Sequence, residues 1–225
     1  MTESEQKALI DPGHQEAMRA SIIVASVAGS VVLLGLPSIA SDDRIPFVGD
    51  ELVFELVGEV TNFATPPPFG SSIQYGYLTK VRGIDDVFSG SPHNETTALF
   101  TFFNEATTTE TNVDGPLRIN ARDGTTTIYL NSAPASFANP DSFRSGTPIQ
   151  ISSLHQQAIV DTATNTFTAV FVNTITEANK FTLNDEEVKL GRKGQAFRAT
   201  LTGHLNAVAP PSGFFGGYAV STSGR

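Results

Sequence analysis

Four side chains suited to proton transfer, Tyr77, His93, Glu95 and His155, fall on segments that read as β-strands. Tyr77 and Tyr75 share a face with Ile73 and Val81, so their hydroxyls would act as donors or weak acids if that face lined a cavity; the alternative is a pair of core tyrosines bonded at a rim. His155 lies between Ser153 and Gln157 on a face bounded by Ile149, Ile151 and Ile159, an apolar wall that would hold a catalytic or a purely structural imidazole. His93 and Glu95 stand two residues apart at the opening of a strand and therefore share a face. A histidine beside a carboxylate can do general acid-base work if burial moves either pKa toward neutrality, and a solvated loop end is the alternative. Phe100, Phe102 and Phe171 would join Tyr75 as apolar wall residues of a binding site. Arg198, with His204, Thr200 and Thr202 on the polar face of one strand, would hold a carboxylate if that face were the inside.

The motif search removes whole classes. There is no G-x-S-x-G elbow, no G-x-G-x-x-G, no Walker A, no H-E-x-x-H and no EF-hand loop. The four histidines are far apart in sequence, none at metal-ligand spacing, and neither a metal nor a cofactor is expected. Absence of cysteine excludes disulfides and thiolate chemistry. Gly191-Arg192-Lys193-Gly194 has the form of a basic G-x-x-G loop but lacks a basic surround and reads as a hairpin turn. With a net charge of −9, the chain should repel phosphate backbones, so nucleic acid is not an expected partner.

The elements that must position these residues are strands. Leu52, Phe54, Leu56 and Val60 alternate with Glu51, Glu55 and Glu59, a period of two with one wet face. The proline run 66–68 interrupts, and 73–81 resumes the alternation. Segment 96–104 is apolar on both faces and should be central or covered. Asp123-Gly124 predicts a two-residue hairpin turn between strands 117–122 and 125–130. Further hairpins are predicted across 162–166 and at Asn184-Asp185, followed by a last strand, 195–205, and a flexible Gly/Ser/Pro-rich tail, 207–225.

These segments predict an all-β protein: an antiparallel meander of about eight to nine strands spanning 41–206 and closed into a barrel, with a β-sandwich as the alternative. In strand count and connectivity alone it resembles lipocalin-like and allene-oxide-cyclase-like or dirigent-like folds, without a sequence motif of either. Outside it, residues 1–40 comprise a polar stretch and an uncharged, apolar segment, 20–36, ending in Ser38-Ile39-Ala40. Read from Met18 this resembles a secretory signal; an uncleaved membrane anchor and a buried cytoplasmic element are the alternatives.

Three functions fit such an object. The first is a barrel binding a small apolar or amphipathic molecule in its lumen. The second is a cofactor-free isomerase or cyclase using Tyr77, His155, Glu95 or His93 on a flexible apolar substrate. The third is an exported subunit of a surface assembly, with homo-oligomers as partners.

Overall fold

The computed structural model describes residues 51–206 and 211–222. The signal-like or anchor-like segment lies outside them. Among the described residues ten strands form: β1 (Leu52–Phe63), β2 (Ser71–Val81), β3 (Phe100–Asp114), β4 (Leu117–Leu130), β5 (Thr147–Asp161), β6 (Thr166–Ala178), β7 (Lys180–Leu183), β8 (Glu186–Lys189), β9 (Ala196–Leu205) and β10 (Ser212–Thr222). Eight of them close into an antiparallel barrel in the order β1-β10-β9-β6-β5-β4-β3-β2, while β7 and β8 make a separate two-stranded sheet. The expected barrel is therefore the fold, and the sandwich is not.

Closure depends on a strand that the composition hid. The predicted flexible tail is instead β10 over residues 212–222, which pairs with β1 from Leu52 opposite Val220 to Thr61 opposite Ser212 and with β9 on its other side. Its glycines suggest a linker, yet its odd-numbered positions from Gly213 to Ser221 face inward with Phe215 and Ala219 buried.

Asp123-Gly124 does not turn. β4 runs through it, paired along its length with β3 and β5, and the turn is made one strand end earlier at Gly115-Pro116, just after another Asp-Gly step, Asp114-Gly115. Gly124 is needed mid-strand because a Cβ there would lie 1.9 Å from the Glu105 carbonyl oxygen. The hairpin at Asn184-Asp185 does form, with φ of 51° and 64° at those two residues, as a type I′ turn requires.

The interior is filled by side chains, chiefly phenylalanine. Gly58 on β1 faces Gly76 on β2, and this bare backbone receives the Phe102 and Phe215 rings: a Cβ on Gly58 would sit 2.9 Å from either ring. The two rings lie 6.3 Å apart, and Phe215 meets Phe167 edge-on at 6.4 Å. One barrel end is plugged by the β7-β8 hairpin, whose Phe181 and Val188, with the following Leu190, are buried. Phe181 packs edge-on against Phe100 at 5.8 Å, and Gln150 Nε2 donates to the Leu190 carbonyl at 2.8 Å. The opposite end, where the β1-β2, β3-β4 and β5-β6 connections gather, is open among the described residues.

Gly76→Ala tests this packing. Its new methyl would meet the Val57 carbonyl oxygen at 2.1 Å and Phe102 at 3.0 Å. Overpacking of this kind should cost about 2–3 kcal/mol and lower Tm by roughly 5–10 °C in thermal unfolding. Gly90→Ala, where nothing lies within 4 Å, should leave Tm unchanged.

Candidate functional site

The open end is a bowl of about 1130 Å³. The end of β1 and the β1-β2 connection contribute Phe63, Pro68 and Phe69 to its wall, and Val160 of β5, Leu205 of β9 and Pro211, just before β10, continue the apolar surface. Its inner surface is polar: Asn62, Thr108, Asn120 and Arg122. Strand alternation puts them there, since even-numbered positions of β4 point inward from Asn120 to Ile128 and even-numbered positions of β3 do so from Phe100 to Thr108.

Arg122 is the central residue of this end. It is 7% exposed, and its side chain reaches from β4 across the opening to β1: Nε donates to Thr108 Oγ1 at 3.1 Å and Nη2 to Asn62 Oδ1 at 2.7 Å. Both acceptors are neutral, and no carboxylate of the described residues pairs with it. Burial alone pushes its pKa down to about 10, leaving it charged at neutral pH.

Behind Arg122 the lumen narrows sharply. A cavity of about 30 Å³ lies between Gln74, Gln156, Ala158, Phe167, Phe171 and Phe215, and a second of about 20 Å³ lies among Phe54, Leu78, Phe102 and Phe197. Each has room for one or two water molecules. Gln74 ties this interior together, donating through Nε2 to Ser72 Oγ at 2.5 Å and Gln156 Oε1 at 3.4 Å and accepting from Asn104 Nδ2 at 3.3 Å. Asn104 Oδ1, Thr126 Oγ1 and Asn173 Oδ1 border the inner cavity without a protein partner, the setting in which buried water is held.

The residues proposed for chemistry sit elsewhere. Phe100, Phe102 and Phe171 do face inward, as core that fills the lumen. Tyr75 and Tyr77 point outward instead, into a second apolar cluster roofed by segment 131–146 and its 3-10 turn Pro140–Arg144. Tyr75 packs against Phe143 at 5.4 Å and donates to Glu59 Oε2 at 2.7 Å. Tyr77 meets Phe88 edge-on at 6.0 Å, and His93 stacks on the other side of Phe88 at 4.6 Å. Burial and then the Glu95 charge raise the Tyr77 pKa, so Tyr77, His93 and Glu95 do share a neighbourhood. It is an outer one, and none of the three lines the bowl or either cavity. His93 and Glu95 belong to the connection before β3, which starts only at Phe100.

His155 is exposed on the outer surface, its Nδ1 2.7 Å from Asp123 Oδ1 on the neighbouring strand. The error has a local cause: the pairing of β5 with β4 skips Ile149 between Pro148 and Gln150, so the inward set runs Gln150, Ser152, Leu154, Gln156 and Ala158, and His155 faces outward with Ile151 and Ile159 and no longer shares a face with Ile149. Arg198 likewise projects outward beside inward Phe197 and Ala199, as does His204. Arg122 was missed because the expected turn at Asp123-Gly124 put it at a strand end beside a hairpin turn, where β4 in fact runs on. Among the described residues no group of three or more metal-ligating side chains gathers.

No family model, curated protein or solved structure matches this chain.

Tyr75 gives a titration test. Burial, reinforced by the bond to Glu59, pushes its pKa up to about 12 from 10.0. A tyrosine whose folded pKa is raised stabilises the fold fully below the unfolded pKa, and that contribution is lost as pH climbs from about 10 to about 12. The last tyrosinate absorbance step should therefore coincide with alkaline unfolding, and Tyr75→Phe should remove it. A Tyr75 that ionises at the ordinary value in the folded protein would contradict the burial.

Proposed function

We propose that this protein is a binding barrel that takes a small amphipathic molecule in its open end. The observation carrying this reading is the asymmetry of the two ends: one is plugged by the β7-β8 hairpin, while the other opens as a bowl of about 1130 Å³ with apolar walls and a polar inner surface. Sites for small molecules have this construction; against their typical volumes of about 300–1,000 Å³, the bowl at about 1130 Å³ is slightly larger and the lumen cavities of about 30 and 20 Å³ are far too small. The ligand site therefore moves from the lumen, where the sequence suggested it, to the mouth.

The catalytic alternative has less support. Among the described residues no histidine, tyrosine, aspartate or glutamate lines the bowl, so they supply none of the acid-base groups a cyclase or isomerase would use where a substrate fits. Strand-donating assembly is disfavoured too, because barrel closure leaves each of its eight strands paired on both sides.

Native mass spectrometry of protein purified from its own host should find a small molecule released on denaturation. Val160→Trp, which adds bulk where the bowl meets the cavity of about 30 Å³, should abolish that adduct while changing Tm little, since Val160 is only half-buried. Ligand retained undiminished in Val160→Trp would contradict a site at this end.

A further inference from the structure

The structure assigns a charge to the ligand: we propose that the bowl recognises an oxyanion head, carboxylate or phosphate, at Arg122 and Arg118, with the attached apolar group against Phe63, Phe69 and Leu205. This rests on the reading of the open end as a ligand site and specifies what that site takes.

The first support is a local reversal of charge. The protein carries a net charge of −9, yet among the described residues the bowl is lined by two arginines and by no aspartate or glutamate. A concave surface of one sign with apolar walls concentrates its field, so an anion repelled by the rest of the surface is drawn here.

The second support is the state of Arg122. A guanidinium carries five N–H donors, and here one from Nε and one from Nη2 go to neutral acceptors, Thr108 and Asn62. Those bonds fix the plane of the fork without neutralising it, and Nη1 has no hydrogen bond within the described residues. Removing a cation from water without a counter-ion is costly, and leaving it there is strongly unfavourable unless an opposite charge arrives. An arginine fork pairs with two oxygens at once, which suits both carboxylate and phosphate.

Two further groups extend the site. Asn120, on the same strand, accepts from Thr111 Oγ1 at 2.9 Å through Oδ1, leaving its amide N–H groups without a bond among the described residues. Arg118, one turn of the strand alternation nearer the rim, is exposed and adds long-range attraction. Behind Arg122 the cavities of about 30 and 20 Å³ are too small for an alkyl chain, so the apolar part of the ligand must stay on the outer side, against the bowl wall.

Calorimetric titration of the full chain with octanoate, octyl phosphate and octanol, in the wild type, Arg122→Gln and Arg118→Gln, tests this. At least one anion should bind about tenfold or more tightly than octanol, as charge-assisted hydrogen bonds require. Arg122→Gln should erase that preference while sparing octanol, and Arg118→Gln should weaken it a few-fold. Which anion binds better identifies a carboxylate or a phosphate head. If Arg122→Gln unfolds, Arg118→Gln carries the comparison, because Arg118 is exposed. Octanol binding as tightly as both anions, or an anion preference untouched in both variants, would overturn the oxyanion head and leave the open-end site standing. Failure of all three compounds to bind the wild type would overturn the site itself.

Discussion

An eight-stranded barrel encloses a space that side chains alone can fill, or that one small molecule can occupy if the side chains are small. In this protein the choice falls to the side chains. Gly58 and Gly76 strip two facing strands to bare backbone so that Phe102 and Phe215 can lie across them, and Phe54, Phe167, Phe171 and Phe197 occupy the remaining volume. Once the lumen is full, a ligand site has to lie at an end, and the β7-β8 hairpin covers one of the two.

The open end is where the interior changes character. Moving along β4 from Ile128 to Asn120, the inward positions pass from apolar to polar, and Arg122 stretches across to Asn62 on the far strand β1. A buried cation held only by neutral groups is destabilising on its own account. Its retention at the base of an apolar-walled bowl makes physical sense when function requires a partner of opposite charge, and the ionised donor set is oriented before the partner arrives. Preorganisation of this kind lowers the ordering cost of binding.

Much of the fold was legible in the sequence because the period of two is a direct record of burial. β1 reads cleanly, since Leu52, Phe54, Leu56 and Val60 alternate with acids, and the Asn184-Asp185 turn is announced by residues that tolerate positive φ. Period alone does not say which face is the lumen. Tyr75 and Tyr77 have a correct alternation and an outward direction, because the long 131–146 segment folds back to roof the outer face and makes it as apolar as the inside. Asp-Gly occurs twice, at 114–115 and 123–124, and local turn chemistry cannot distinguish the pair; only the neighbouring strand β3, pressed against Gly124, decides. That one choice concealed Arg122, just as a one-residue register shift at Ile149 of β5 misplaced His155. β10 was hidden by composition, its glycines serving close backbone packing and not flexibility.

The central claim, an Arg122 charge left for a ligand and not for the protein itself, is tested most directly by a high-resolution crystal structure of the full chain as purified from its host. The expected result is oxyanion-shaped density within hydrogen-bond distance of Arg122 Nη1, continuing as an apolar group along Phe63 and Leu205. A carboxylate of the chain itself bound to Arg122, with the bowl closed over it, would contradict that claim.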